Sequence, residues 1–199
     1  MDITVGVLAL QGAFSAHERS LARLGVPTRQ VRLPRDLAEV DALVMPGGES
    51  TTMSQLLESS GLFDAIASRI AGGMPVLGTC AGVILLASTI LDGRPDQLSF
   101  GALPITVRRN GYGRQIDSFE AEVPVVGLDS PFTAVFIRAP IIEEVTAGVD
   151  VLATHNGRPV AVAVGSVIGA TFHPELTDDP RFHGVFVDRV LSQPSITRR

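Results

Sequence analysis

An α/β fold with a mostly parallel central sheet follows from three features of the chain. Short apolar strands alternate with amphipathic helices through the first half. Apolar residues make up 45 % of the sequence, and several strands are apolar without interruption, as in sheets buried on both faces. Glycine-containing turns follow the strands, at Gln11-Gly12, Pro46-Gly47-Gly48-Glu49 and Gly78-Thr79-Cys80-Ala81-Gly82.

Taken in order, Ile3 to Leu10 is an apolar strand that ends at Gln11-Gly12. Phe14 to Leu24 is a helix with Leu21 and Leu24 on one face, closed by Gly25. Val26 to Leu33 alternates as a strand does, and Asp41 to Met45 is a short apolar strand. The turn from Pro46 to Thr52 leads into a helix carrying Leu56 and Leu57, and Leu62 to Ile70 forms another. Pro75 to Leu77 is a strand, and the chain then turns through Ala81 and Gly82 into an apolar helix, within an apolar segment that runs from Ala81 to about Leu91. Strands are then expected at Pro104 to Arg108, Phe119 to Val126, Phe132 to Arg138, Val149 to His155 and Pro159 to Val164. Asn156-Gly157 marks a hairpin between the last two. These make a mixed or antiparallel extension of the sheet. Val167 to Phe172 is a final strand, and a closing helix carries Phe182, Val185, Phe186 and Val190, capped by Asp178 or Asp179 with Pro180 in its first turn. Residues 1–193 form one domain, and 194–199 are expected to be a mobile tail.

Composition excludes several classes. A net charge of −5 offers no footprint for nucleic acid, and no basic run longer than a pair occurs, the terminal one being Arg198-Arg199. One cysteine excludes an internal disulfide and a multi-cysteine metal site, and the histidines lack ligand spacing. The first residues lack the basic region of a signal peptide, and the longest apolar run is too short to span a bilayer. A cytoplasmic protein without metal or cofactor is expected.

The chemistry centres on Cys80. Gly78 and Gly82 flank it at a strand-to-helix junction, the layout of a nucleophile elbow with sulfur in place of oxygen. Free N–H groups and the helix dipole at such a junction favour a thiolate. The plainer reading is a buried small hydrophobe. The Gly47-Gly48-Glu49-Ser50 turn is either a capped tight turn or a cradle of backbone N–H groups for an anion or carbonyl oxygen. Among four histidines, His17 reads as solvated beside Glu18, and His155 and His183 read as structural. His173 ends an apolar strand, as Cys80 does, with Glu175 two residues on. Nucleophile, base and orienting acid thus occur in the order Cys80, His173, Glu175.

These motifs resemble the class I, triad-type glutamine amidotransferases, and within them the glutaminase subunits of pyridoxal 5′-phosphate synthase. The resemblance rests on Gly78-Thr79-Cys80-Ala81-Gly82 and Phe172-His173-Pro174-Glu175, and on Gly6 to Gly12 and Pro46 to Met53. Arg109 to Gln115, Asp117 to Glu120 and Phe136 to Pro140 extend it, so it runs essentially from end to end. It implies a single-domain class I amidotransferase fold. It also implies that Cys80 attacks the side-chain amide of L-glutamine, with His173 as base and acid, Glu175 orienting it, and a thioester intermediate. The backbone N–H groups of Gly48 and Ala81 would form the oxyanion hole. Gly48, Glu49, Ser50, Arg109, Ile137 and Arg138 match glutamine-binding positions, Ile137 through its backbone. Arg109 also has a plainer reading as a solvated strand-end charge. Ammonia would pass to a TIM-barrel synthase subunit in a large hetero-oligomer, with Gln11 a candidate for sensing docking. Three alternatives stay open at this stage. They are a different synthase partner, such as the one forming imidazole glycerol phosphate, a non-catalytic binding module, and a cysteine peptidase.

Overall fold

The computed structural model describes residues 3–109 and 118–193. Residues 110–117 of the family-like stretch, and the tail at 194–199 expected to be mobile, lie outside the described residues. The chain runs β1 (Val5–Leu8), α1 (Phe14–Arg23), β2 (Thr28–Val31), α2 (Pro34–Leu37), β3 (Ala42–Met45), α3 (Ser50–Ser59), α4 (Leu62–Ala71) and β4 (Val76–Thr79). It continues through α5 (Ala81–Leu86), β5 (Ala87–Leu91), β6 (Leu103–Arg108), β7 (Phe119–Val123), β8 (Phe132–Phe136), β9 (Ile141–Val145), β10 (Asp150–His155), β11 (Arg158–Val164) and β12 (Val167–Ala170). A 3-10 turn at Pro174–Leu176 and α6 (Arg181–Leu191) complete it.

Among the described residues the main sheet has seven strands in the order β10-β11-β12-β4-β3-β1-β2. The five from β12 to β2 are parallel, and the β10–β11 hairpin extends them antiparallel. Every residue of β1, β3, β4 and β12 is buried, because helices or small sheets cover both faces. Alternate residues serve opposite sides. Val5, Val7, Val44 and Leu77 pack with Leu21 of α1 and with Phe132, Phe172, Phe182 and Phe186. Leu8, Leu43, Met45 and Val76 pack with Leu57, Leu62, Ile66 and the α5 leucines. No described helix is long and apolar enough to cross a membrane.

Several expectations need correction. The apolar segment from Ala81 is helical only to Leu86; Ala87–Leu91 is a strand that pairs with β6. No glycine or proline marks that change, and the partner strand decides it. β5, β6 and β9 form their own three-stranded sheet, and β7 and β8 a two-stranded one, rather than all joining the main sheet. Strand β9 and the short α2 were not foreseen at all. The closing helix begins after Pro180, with Asp179 Oδ1 accepting from Arg181 N at 2.9 Å.

The parallel pairing levels the strand ends that matter. Thr79 of β4 lies opposite Ala170 of β12, and Met45 of β3 opposite Gly78. Cys80 N donates to Ala170 O at 2.8 Å, and His173 N to Val135 O at 2.8 Å. The loops after β1 and β3 press together on one another, so tightly that a side chain at Gly12 would overlap the Gly47 carbonyl. β2 lies on one side of β1 and β3 on the other, so this is the switch point of the sheet, where α/β folds collect ligands.

Candidate active site

Cys80 occupies a strained elbow. Its φ of 49° and ψ of −106° lie outside the regions a non-glycine residue prefers, at a cost of about 1–3 kcal/mol. The flanking glycines let the elbow close. A Cβ at Gly78 would stand 2.7 Å from the Gly82 carbonyl carbon, and one at Gly82 would overlap the Met45 carbonyl oxygen. The cysteine is 7 % exposed and free of any disulfide, so its sulfur is neither sealed in the core nor on the open surface.

His173 meets it from the end of β12. A Cβ at Gly47 would lie 2.5 Å from His173 Cε1 and 3.2 Å from Cys80 Cβ, so both side chains converge on one glycine. Behind the ring, Glu175 Oε1 lies 2.8 Å from His173 Nδ1. Burial works to lower the His173 pKa, but hydrogen bonds and charge from Cys80 and Glu175 outweigh it and raise it to about 10. Burial works to raise Glu175, and the imidazoles of His17 and His173 outweigh it and hold the carboxyl below its ordinary value.

The double-glycine turn supplies the opposite wall. Glu49 caps α3, its carboxylate accepting from Thr51 N at 3.1 Å and Thr52 N at 2.7 Å. Although burial works to raise it, these backbone bonds bring its pKa to about 2. Glu49 thus supplies the cap of this turn. Arg109 locks the turn, donating to Glu49 Oε1 at 2.7 Å, Thr51 Oγ1 at 2.9 Å and Gln97 Oε1 at 2.7 Å. It is therefore tied in rather than solvated. Gln11 Oε1 accepts from Glu49 N at 3.2 Å. Ser50 Oγ is buried without a hydrogen-bond partner among the described residues.

A cavity of about 420 Å³ opens between these parts, lined among others by Gly48, Ser50, Cys80, Ala81, Arg109 and His173. Glu49, Ile137 and Arg138 line it as well. The Ile137 carbonyl oxygen lies 4.0 Å from Cys80 Sγ. Arg138 follows with a φ of 44°. Glu175 and Gln11 stand behind the lining rather than in it.

Sequence reasoning missed one group. His17, expected to be solvated, is completely buried, with Nε2 3.4 Å from Glu175 Oε2. The signal was present: His17, Leu21 and Leu24 fall at i, i+4 and i+7, the buried face of α1. His183 is buried against it, while His155 stacks on Phe136 in a structural role.

A thiol, a protonated imidazole and a carboxylate in line at a cavity rim are suited to nucleophilic acyl transfer. Comparison with known proteins agrees with that chemistry. The family model described as the SNO glutamine amidotransferase family matches residues 7–192. The chain belongs to this family. Among relatives of this glutamine amidotransferase, the pyridoxal 5′-phosphate synthase subunit PdxT of Mycobacteroides abscessus is 53 % identical over 190 residues, covering 96 % of this chain and 98 % of the relative. The protein of the same name from Corynebacterium jeikeium is 52 % identical over 193 residues, with the same coverage. A crystal structure of a glutamine amidotransferase superposes with a TM-score of 0.88 at 45 % identity, covering 94 % of this chain and 98 % of that one. A more distant match, PurLQS from Thermotoga maritima, has a TM-score of 0.66 at 16 % identity over 96 % of each chain and shares the fold.

Proposed function

We propose that this amidotransferase is the glutaminase subunit of a pyridoxal 5′-phosphate synthase, hydrolysing L-glutamine and passing the ammonia to a synthase partner. The observation that carries the reading is the meeting of Cys80 and His173 over Gly47 at the mouth of the cavity, in a chain half identical to proteins of that name.

Cys80 Sγ attacks the side-chain amide carbon of glutamine, and the negative charge moves to the amide oxygen. Backbone N–H groups of Gly48 and Ala81, both on the cavity wall, receive that charge. His173, protonated at neutral pH by its raised pKa, gives its proton to the departing ammonia. A glutamyl thioester remains. His173 then takes a proton from water, which attacks the thioester carbon, releases glutamate and restores the sulfur. Glu175 fixes the His173 tautomer and faces the positive ring throughout. The unpartnered Ser50 hydroxyl, the Glu49–Arg109 pair, the Ile137 carbonyl and Arg138 form the wall that holds the substrate.

The partner is a TIM-barrel synthase subunit in a large hetero-oligomer, and the reaction takes place in the cytoplasm, which the free thiol suits. Gln11 touches the Gly48–Glu49 peptide and is placed to report docking to the oxyanion wall. Docking then selects the working orientation of that peptide.

Glutamate release, measured with and without the synthase, tests the reading. Native protein is expected to turn over faster with the synthase, and Cys80→Ala to lose about 10³-fold or more while keeping its fold and its partner. Undiminished hydrolysis by Cys80→Ala would refute the nucleophile. Stimulation only by the synthase forming imidazole glycerol phosphate would reassign the pathway, and cleavage of peptides in preference to glutamine would overturn the substrate.

A further inference from the structure

His17 of α1 lies against the carboxylate that holds His173, and none of the steps above uses it. Its Nε2 is 3.4 Å from Glu175 Oε2 and 3.2 Å from Thr79 Oγ1, and its Nδ1 is 2.9 Å from His183 Nε2. The groups facing it are thus a carboxylate from the 3-10 turn, a hydroxyl from β4 and an imidazole from α6, with His173 beyond the carboxylate. Both His17 and His183 are completely buried, and His183 Nδ1 has no hydrogen-bond partner among the described residues.

Only one pattern of protons suits this arrangement. Burial outweighs the attraction of Glu175 and keeps the His17 pKa below its ordinary value, and burial takes His183 down to about 3, so both rings are neutral at pH 7. If His17 carried its proton on Nδ1, it would donate to His183 Nε2. The His183 proton would then sit on Nδ1, as a buried donor without an acceptor, and a bare His17 nitrogen would face the Glu175 carboxylate. Both are costly. With the proton of each ring on Nε2, His183 donates to His17 Nδ1, and His17 Nε2–H points at Thr79 Oγ1 and the carboxylate. Only a bare nitrogen of His183 is left unpaired, which costs less.

We propose that His17 is a positioning residue of the reaction centre, locked by His183 as a neutral Nε2–H imidazole that keeps Glu175 turned toward His173. Among the described residues Oε2 of Glu175 makes no hydrogen bond of good geometry, so His17 acts on it as an N–H dipole at 3.4 Å. The inference rests on the glutaminase reading for its consequence in turnover, but not for its proton pattern.

Two substitutions and one spectrum test it. Asparagine at 17 places its amide near the imidazole Nδ1, and glutamine near Nε2. In the complex with the synthase, His17→Asn is expected to lower kcat about ten-fold or more with KM little changed, and His17→Gln to recover most of that loss. Nitrogen-15 imidazole spectra of the full chain should show His17 and His183 as neutral Nε2–H tautomers between about pH 7 and 8. A kcat for folded His17→Asn within about three-fold of the parent, or no advantage for glutamine over asparagine, overturns the proposal. So does an Nδ1–H or doubly protonated His17. If the parent chain hydrolyses no glutamine, the proposed function fails, and the spectrum still decides the proton pattern. If His17→Asn does not fold, the parent spectrum decides it.

Discussion

At the scale of single residues, the site is built from groups that serve two neighbours at once. Glu49 caps a helix and anchors Arg109, so one carboxylate fixes both the floor and the rim of the cavity. Glu175 holds His173 with one oxygen and faces His17 with the other. The buried histidines predict how stability responds to acid. An unfolded chain protonates His183 below about pH 6.5, whereas the folded one resists until about 3. The unfolded state therefore binds more protons in that interval, and stability is lost as pH falls through it. His173 does not contribute there, because its raised pKa leaves it protonated in both states below 6.5. Glu175, with its lowered pKa, stabilises the fold above its ordinary value of 4.5 and loses that contribution only below it. Between pH 6.5 and 4.5, His183 alone should cost about 2 kcal/mol. Urea unfolding at the two pH values should show this fall, and His183→Gln should reduce it markedly. An equal fall in both proteins would remove the assignment.

At the scale of elements, the elbow illustrates what local sequence can and cannot say. Glycine before and after Cys80 announces a tight junction, and the structure shows why each is needed. Gly82 presses on the end of β3, where any side chain would meet the Met45 carbonyl. Backbone cannot move aside as a flexible side chain does, so Gly82→Ala should cost about 3 kcal/mol or more, or prevent folding. Gly25, with φ of 70° and open space around it, provides the comparison. Gly25→Ala should cost only about 1–2 kcal/mol, the cost of the left-handed conformation alone. Thermal unfolding of the two variants measures the difference. Long periodic elements such as α1, α4 and α6 were legible because each carries a clear apolar face. Strand β5 was not, because its residues continue an apolar run and become extended only by pairing with β6.

At the scale of the whole molecule, the reaction centre hangs on an aromatic core. Phe172 directly precedes His173, and its ring packs on Phe182 of α6 at 4.9 Å and Phe132 of β8 at 5.9 Å. Together α6 and β8 clamp the strand end that carries the imidazole. Phe182→Ala should therefore cost about 3–5 kcal/mol by chemical denaturation. Turnover of the fraction that stays folded should fall as well, since the cavity loosens the end of β12. A stability loss with no change in kcat would show that the clamp is purely structural. The elbow, the double-glycine turn and His-Pro-Glu were all readable in the chain because each is a local pattern with its own backbone requirement.

The sequence by itself determined the alternation of strand and helix, the covalent order of thiol, imidazole and carboxylate, and the turns that had to be glycine. The tertiary structure alone decided that β4 and β12 are neighbours in register, which brings Cys80 within reach of a ring more than ninety positions away. It also decided that His17 is buried against Glu175. Helical spacing names the face on which a residue lies, but its partner depends on what packs there, and that follows from the free energy of the whole core.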